Sequence, residues 1–298
     1  MLKKIFITGA GGFIGSELVL GFNKLKYEVH ALDRFFSYPI LSNNNTYYYK
    51  NDLNVFGRKN LKNFDIFIHT AAITNYKNLD LKDNLFEKNI SLIKKSLNLA
   101  KKLNIKKYYF LSSTGIYRFS KTEYFTEKSK LFFLNEYVKS KICGEEIVKS
   151  FCLKNNIDHK ILRLGNVYSG FEKKLWSRKN VSIYQVWLNN AKKNRILITD
   201  SFESKRDWTY VKDIPLIINS IINSKNTKIK IINLVSPFVK KDIQMMKIIS
   251  KKINRKINLK EKSLHNIKHN ASLSIYLKNF KFNKWTSPEK AINKIILE

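Results

Sequence analysis

The sequence predicts a doubly wound α/β fold, a parallel sheet covered by helices on both faces. Three observations carry this. Short β-type runs alternate with helix-length stretches as far as Leu164, and such alternation implies parallel strands joined by crossover helices. A glycine-rich turn, TGAGGFIG at 8–15, follows the first run and opens the first helix. The second run ends at an aspartate, Asp33, where a ligand at the sheet's edge would meet a carboxylate.

In chain order, strands are read at 3–8 (KKIFIT), 28–32 (EVHAL), 46–50 (TYYYK), 65–69 (DIFIH), 107–112 (KYYFLS) and 159–164 (HKILRL). Helices are read at 16–25, at 83–103, where Leu85, Ile90, Ile93, Leu97 and Ala100 fall near one face, and at 135–155. After about residue 170 the pattern becomes mixed. Helices are expected at 182–193, 211–223, 240–253 and 288–297, the last with Ser287 as N-cap and Pro288 at N1. This gives a domain at 1–170 and a smaller mixed α/β region at 171–298, with the chain crossing back to the main domain near 206–235.

The glycine turn has a physical reading. Glycines at 9, 12 and 15 permit positive φ and let backbone approach a pyrophosphate without an intervening side chain. The helix that follows the motif offers free N–H groups and a positive dipole end, which favour phosphate. Asp33 can accept both hydroxyls of an adenosine ribose, which points to NAD, whereas Arg34 can reach a 2′-phosphate, which leaves NADP open. The region 1–170 is therefore read as a Rossmann-type dinucleotide-binding domain.

A second signal is NEYVKSKICGEE at 135–146. Tyr137 and Lys141 are four apart, so on a helix they share a face. An ammonium beside a phenol favours the phenolate and makes tyrosine a usable base. In a chain so rich in both residue types, the pair needs support from elsewhere.

That support comes from an ordered set of motifs. TGxxGxxG with YxxxK resembles the short-chain dehydrogenase/reductase superfamily, and further motifs resemble its extended branch, the nucleotide-sugar epimerases and dehydratases. Asn51-Asp52-Leu53 resembles the family's adenine-contacting Asp-Leu, and His69-Thr70-Ala71-Ala72 its His-x-Ala-Ala against the cofactor. Ser112–Tyr117 resembles Ser-Ser-x-x-Val-Tyr, Arg163–Tyr168 Arg-x-x-Asn-Val-Tyr, 206–213 Arg-Asp-Phe-x-Tyr-Val-x-Asp, and 282–290 the closing Gly-Trp-x-Pro segment. The resemblance implies Ser113, Tyr137 and Lys141 as catalytic residues. It implies a cofactor site of Gly9, Gly12, Phe13, Ile14, Gly15, Asp33, Arg34, Asp52, Leu53, Thr70, Ala71 and Ala72, with Tyr137 and Lys141. It implies a nucleotide-diphosphate sugar touched by Ser113, Thr114, Asn166 and Arg206, with Arg206 on the diphosphate and Arg163 structural. The activity implied is NAD-dependent epimerisation through a transient 4-keto sugar, with a reductase or dehydrogenase as the second reading. The family's dehydratases carry Asp-Glu where this chain has Thr114-Gly115, which disfavours 4,6-dehydration. A homodimer through the helices at 83–103 and 135–155 is also implied.

The chain departs from the pattern at several points. Arg118 stands where a glycine is usual, only Asn89 of Asn-x-x-Gly-Thr is kept, the prolines before the catalytic tyrosine are missing, and 199–205 lacks glycine.

Composition bounds the rest. The 298 residues, 44% hydrophobic, suffice for a sizeable core. No eighteen apolar residues run together, so no membrane span is expected. Cys143 and Cys152 lie in one helix, about 13 Å apart along its axis at ~1.5 Å per residue, too far to bridge, which fits a reduced cytoplasm. His265 and His269 lack the HExxH glutamate and a third ligand, so no metal is expected. The net charge of +33 could serve RNA binding by a non-catalytic relative. Its lysines are scattered over the whole chain and come with an excess of asparagine and isoleucine, which reads as compositional bias. Nucleic acid is therefore not the expected partner.

Overall fold

The computed structural model describes residues 2–38, 40, 45–53, 55–57, 61–74, 84–117, 124–262 and 269–297. The chain runs β1 (Lys4–Thr8), α1 (Phe13–Lys24), β2 (Glu28–Asp33), β3 (Thr46–Lys50), β4 (Ile66–His69), α2 (Leu85–Lys102), β5 (Lys107–Ser113), a 3-10 turn (Thr114–Ile116), β6 (Tyr124–Phe125), α3 (Glu136–Lys154), β7 (Asp158–Leu164) and β8 (Asn166–Tyr168). It continues through α4 (Ile183–Lys192), β9 (Leu197–Thr199), β10 (Lys205–Tyr210), α5 (Ile214–Asn223), β11 (Ile231–Leu234), β12 (Val239–Lys241), α6 (Asp242–Ile253), β13 (Leu259–Glu261), β14 (Ala271–Ser272) and α7 (Pro288–Leu297).

Seven strands form one parallel sheet in the order β11-β7-β5-β4-β1-β2-β3. Its central strands are apolar on both sides, as a doubly covered sheet requires: Ile5, Phe6 and Ile7 are all buried. The strand order reverses between β1 and β4, and a ligand cleft is expected outside the carboxyl ends there. The helices divide between the faces. One core holds α1, α5 and the C-terminal elements, and the other holds α2 and α3 against Phe67, Tyr108 and Phe110.

Several elements differ from the sequence reading for local reasons, among them α5, which begins at Ile214 after a 3-10 turn at Val211–Asp213. Helix α1 begins at Phe13, three residues early, because extended Gly12 is its N-cap and the glycine motif itself supplies the first turn. The seventh strand, β11, was not expected. Its apolar run is short, interrupted by Asn233 and preceded by Lys228 and Lys230, and it becomes a strand by docking on β7.

Of the apolar side chains on α2 and α3 that the expected homodimer would use, Leu92 stays partly exposed, whereas Leu99, Ile142 and Val148 are otherwise employed. Leu99, Ile142 and Val148 are buried inside the chain, at 6%, 8% and 0% exposure. Among the described residues, no helix is long and apolar enough to cross a membrane.

Candidate active site

A cleft in two connected lobes opens at the carboxyl ends of β1, β2, β4 and β5. Gly9, Gly12, Thr70, Ala72, Leu175 and Ser177 line both lobes. Gly9 has φ +74°, and a Cβ there would meet the backbone of Ala71 at 2.4 Å, so residue 9 must be glycine. A Cβ on Gly15 would meet the Gly9 carbonyl at 2.0 Å. Gly12 differs, for a Cβ there would meet only the Gly9 carbonyl, at 3.3 Å. Its bare face borders the cleft at the N-terminus of α1, the shape and polarity a pyrophosphate needs. Thr70 ties the next loop to this turn, its hydroxyl donating to the carbonyls of Thr8 (2.8 Å) and Gly9 (3.1 Å).

The first lobe ends at Asp33. Its carboxylate accepts the Gly11 N–H at 2.9 Å and the Phe35 N–H at 3.2 Å. Burial raises its pKa above the ordinary value, and the N–H groups and Arg34 oppose that rise. Asp52 and Leu53 line the same lobe. The Arg34 guanidinium lies 3.5 Å from Asp52 and 4.2 Å from the centre of the Trp176 ring.

The second lobe holds Phe13, Ile14, Ser113, Tyr137 and Lys141. Asn135 sets the start of α3 by accepting the Val138 N–H at 2.9 Å, which places Tyr137 in the first turn. Lys141 follows one turn later and is buried. Its ammonium donates to the Leu111 carbonyl at 2.7 Å and sits 5.7 Å from the Tyr137 ring centre. Burial lowers its pKa to about 8, against the pull of Glu145. Ser113 ends β5, its hydroxyl accepting the Gly115 N–H at 3.1 Å. No described residue lining this lobe is a carboxylate.

The helix that carries Tyr137 is fixed from beneath. Glu145 is 1% exposed and accepts Ser112 Oγ (2.6 Å), Arg163 Nε (2.9 Å) and Arg163 Nη2 (2.6 Å). Arg163 also donates to the Tyr117 hydroxyl, which in turn donates to Asn233. Asn89 holds the loop after β4, exchanging hydrogen bonds with the Ile73 backbone (2.8 and 3.0 Å) and reaching Ser140 of α3. Glu145 belongs to none of the motifs read in the sequence.

Three expected substrate residues lie outside both lobes. Thr114 is in the 3-10 turn. Asn166 donates through its backbone and side chain to buried Asp207, each at 3.0 Å. Arg206 grips fully buried Asp242 with two prongs, at 2.8 and 3.2 Å. Arg118 and His265 lie outside the described residues. Trp176, Ser177 and Arg178, which line the cleft, come from a stretch where the sequence offered no period to read.

The sequence model of the NAD dependent epimerase/dehydratase family matches residues 5–255. A putative UDP-glucose 4-epimerase of Methanocaldococcus jannaschii is 27% identical over 237 residues, 76% of each chain. Among solved structures, a UDP-N-acetylglucosamine 4-epimerase from Methanobrevibacter ruminantium M1, in complex with UDP-N-acetylmuramic acid, superposes with a TM-score of 0.84. It is 22% identical and covers 99% of this chain and 97% of that one. A UDP-glucuronic acid 4-epimerase from Bacillus cereus, in complex with NAD, gives 0.79 at 20% identity, covering 97% and 94%.

Proposed function

The chain belongs to the NAD dependent epimerase/dehydratase family, and from that premise we propose that it is a 4-epimerase of a nucleotide-diphosphate sugar, a UDP-sugar by the names of its relatives. The carrying observation is the second lobe, which Tyr137, Lys141 and Ser113 line together and whose described lining residues include no carboxylate. One tunable phenol suits reversible oxidation at one carbon. Elimination of water needs a separate acid, and Gly115 provides none.

The cleft fits NAD. Gly12 leaves room for a pyrophosphate, and Asp33 is fixed where ribose hydroxyls would lie. Bound there, NAD supplies a hydride acceptor and later its donor. Tyr137 takes the proton from the sugar 4-hydroxyl as C4 gives up hydride, leaving a 4-keto sugar. Ser113 hydrogen-bonds the same oxygen as charge develops. Lys141, charged and close to Tyr137, favours the phenolate. Once the keto sugar has turned over and been reduced again, Tyr137 would give the proton back to the same oxygen.

Residues 171–298 are assigned to the sugar nucleotide, apart from 171–178, which reach the cofactor cleft, and the return to the main domain near 206–235. The reading includes a cytoplasmic homodimer. Its support is no longer Leu99, Ile142 and Val148, which are buried, or Leu92, which lines the first lobe, but the partly exposed Ile90, Ile147 and Phe151 on α2 and α3.

A thermal-shift panel of UDP-, GDP-, dTDP- and CDP-sugars with NAD, followed by NMR of products, tests the function. Interconversion of C4 epimers without net NADH is expected. Stoichiometric NADH would make the chain a dehydrogenase. No turnover, with RNA binding that falls steeply with salt, would make it a scaffold.

A further inference from the structure

Residues 171–178 cross the cleft that the proposed function assigns to NAD. Leu175 and Arg178 pair their backbones at 2.9 and 3.0 Å, which puts Trp176 and Ser177 at the tip of a tight turn. On one side the Ser177 carbonyl accepts the Thr74 N–H at 2.8 Å, just beyond β4. On the other, the Trp176 ring covers the Arg34 guanidinium at 4.2 Å and meets Phe35 edge-on, just beyond β2. The legs are anchored too. Lys173 N–H donates to the Tyr38 hydroxyl at 3.1 Å, and Arg178 donates to buried Glu172 at 2.7 Å. The glycine turn runs between these two banks, so the turn of residues 175–178 bridges the lobe that ends at Asp33.

Trp176 is 47% exposed, unlike Trp187 and Trp208 of the core. An indole left half in solvent and seated on a cation serves packing poorly. Arg34 is the residue that could reach a 2′-phosphate, and it is held between Trp176 and Asp52.

We propose that Trp176 is a cofactor-retaining and cofactor-selecting residue: it latches the 171–178 strap over the adenosine end of the dinucleotide and holds Arg34 away from the place of a 2′-phosphate. The proposal rests on the reading that this cleft binds NAD. It makes two statements that a merely structural tryptophan would not. Loss of the indole speeds release of NAD, and it raises affinity for NADP relative to NAD.

The test uses purified full-length protein, wild type, Trp176→Ala, Trp176→Phe and Arg34→Met, with NAD, NADP and the fluorescent etheno-NAD. Cation–π contacts of this kind carry roughly a tenfold effect. Trp176→Ala should therefore release etheno-NAD about tenfold faster in a displacement experiment and shift the NADP/NAD affinity ratio up by about tenfold. Trp176→Phe, which keeps a ring, should lie between. Arg34→Met removes the cation under the indole, so it should speed release without gaining NADP affinity. It also decides the latch if Trp176→Ala fails to fold. Wild-type release and wild-type selectivity in these variants, with wild type binding NAD, would overturn the proposal. A wild type that binds neither dinucleotide would overturn the NAD reading itself, and the latch with it.

Discussion

At the scale of single residues, the site rests on two side chains in the first turns of one helix. Tyr137→Phe removes the hydroxyl without disturbing the ring, so NAD binding should persist while turnover falls by about two to four decades. Steady-state kinetics beside calorimetry with NAD would check this, and near wild-type turnover would remove Tyr137 from the mechanism. Lys141 makes a prediction about pH. Its ammonium titrates near 8 in the folded chain because burial disfavours the charge, while the unfolded chain holds its proton to about 10.4. Between those values the unfolded state binds more protons, so this group adds stability as pH rises from 8 to 10.4 and costs stability below 8. The window amounts to on the order of 2–3 kcal/mol. Denaturant midpoints of cofactor-free wild type and Lys141→Met, measured from pH 7 to 10.5, should show the rise in the first relative to the second. Parallel curves would mean that Lys141 is solvated and not tuned. Both residues were legible because their spacing is local. Trp176 and Glu145 were not, since each acts through partners distant in sequence, Arg34 for the one and Arg163 for the other.

At the scale of elements, legibility followed length and periodicity. The main-sheet strands as far as β7 and helices α2 and α3 were readable to within about two residues because each has its own period and its own turn signals, whereas the two-residue β6 was not. Beyond residue 170 the strands shrink to two to six residues, among them β9, β12, β13 and β14. Such strands take their conformation from their partners, and sequence pattern cannot show a partner. The same difficulty explains Arg206. A motif assigned it to the diphosphate, whereas the fold spends its fork on Asp242, which also accepts the Thr199 hydroxyl at 2.7 Å. Arg206 thereby joins β10 to α6. Arg206→Met should cost about 3–5 kcal/mol because it strands a buried carboxylate. Arg206→Lys keeps the charge and loses the planar fork, so the cost should be smaller but measurable. Calorimetry adds the second half of the test. If Arg206 also serves the diphosphate, Arg206→Lys weakens sugar-nucleotide binding about tenfold or more with NAD affinity unchanged. A loss of stability with no loss of affinity would leave Arg206 as a joint between elements and nothing else.

At the scale of the whole molecule, charge and exposed apolar surface pull in opposite directions. A net charge of +33 makes like copies repel one another. Yet Leu131, Phe132, Phe133 and Leu134 are 38–58% exposed in sequence, immediately ahead of α3. Four consecutive large apolar side chains in water are unusual for a surface that stays bare. Ile147 and Phe151, further along α3, are half-buried as well, and a second copy of the chain is the occupant proposed for the exposed run. Pairing two such charged copies is favoured when salt screens their repulsion, which falls off over about 8 Å at physiological ionic strength. Light scattering at micromolar concentration should therefore give twice the 35.1 kDa chain mass at physiological salt, with a rising monomer fraction at low salt. Phe133→Glu with Leu134→Glu should yield monomers at any salt, with the melting temperature of the fold largely kept because both side chains are already half in solvent. A wild type of single-chain mass at physiological salt would count against the dimer, and the exposed run would then belong to some other surface of the chain's work.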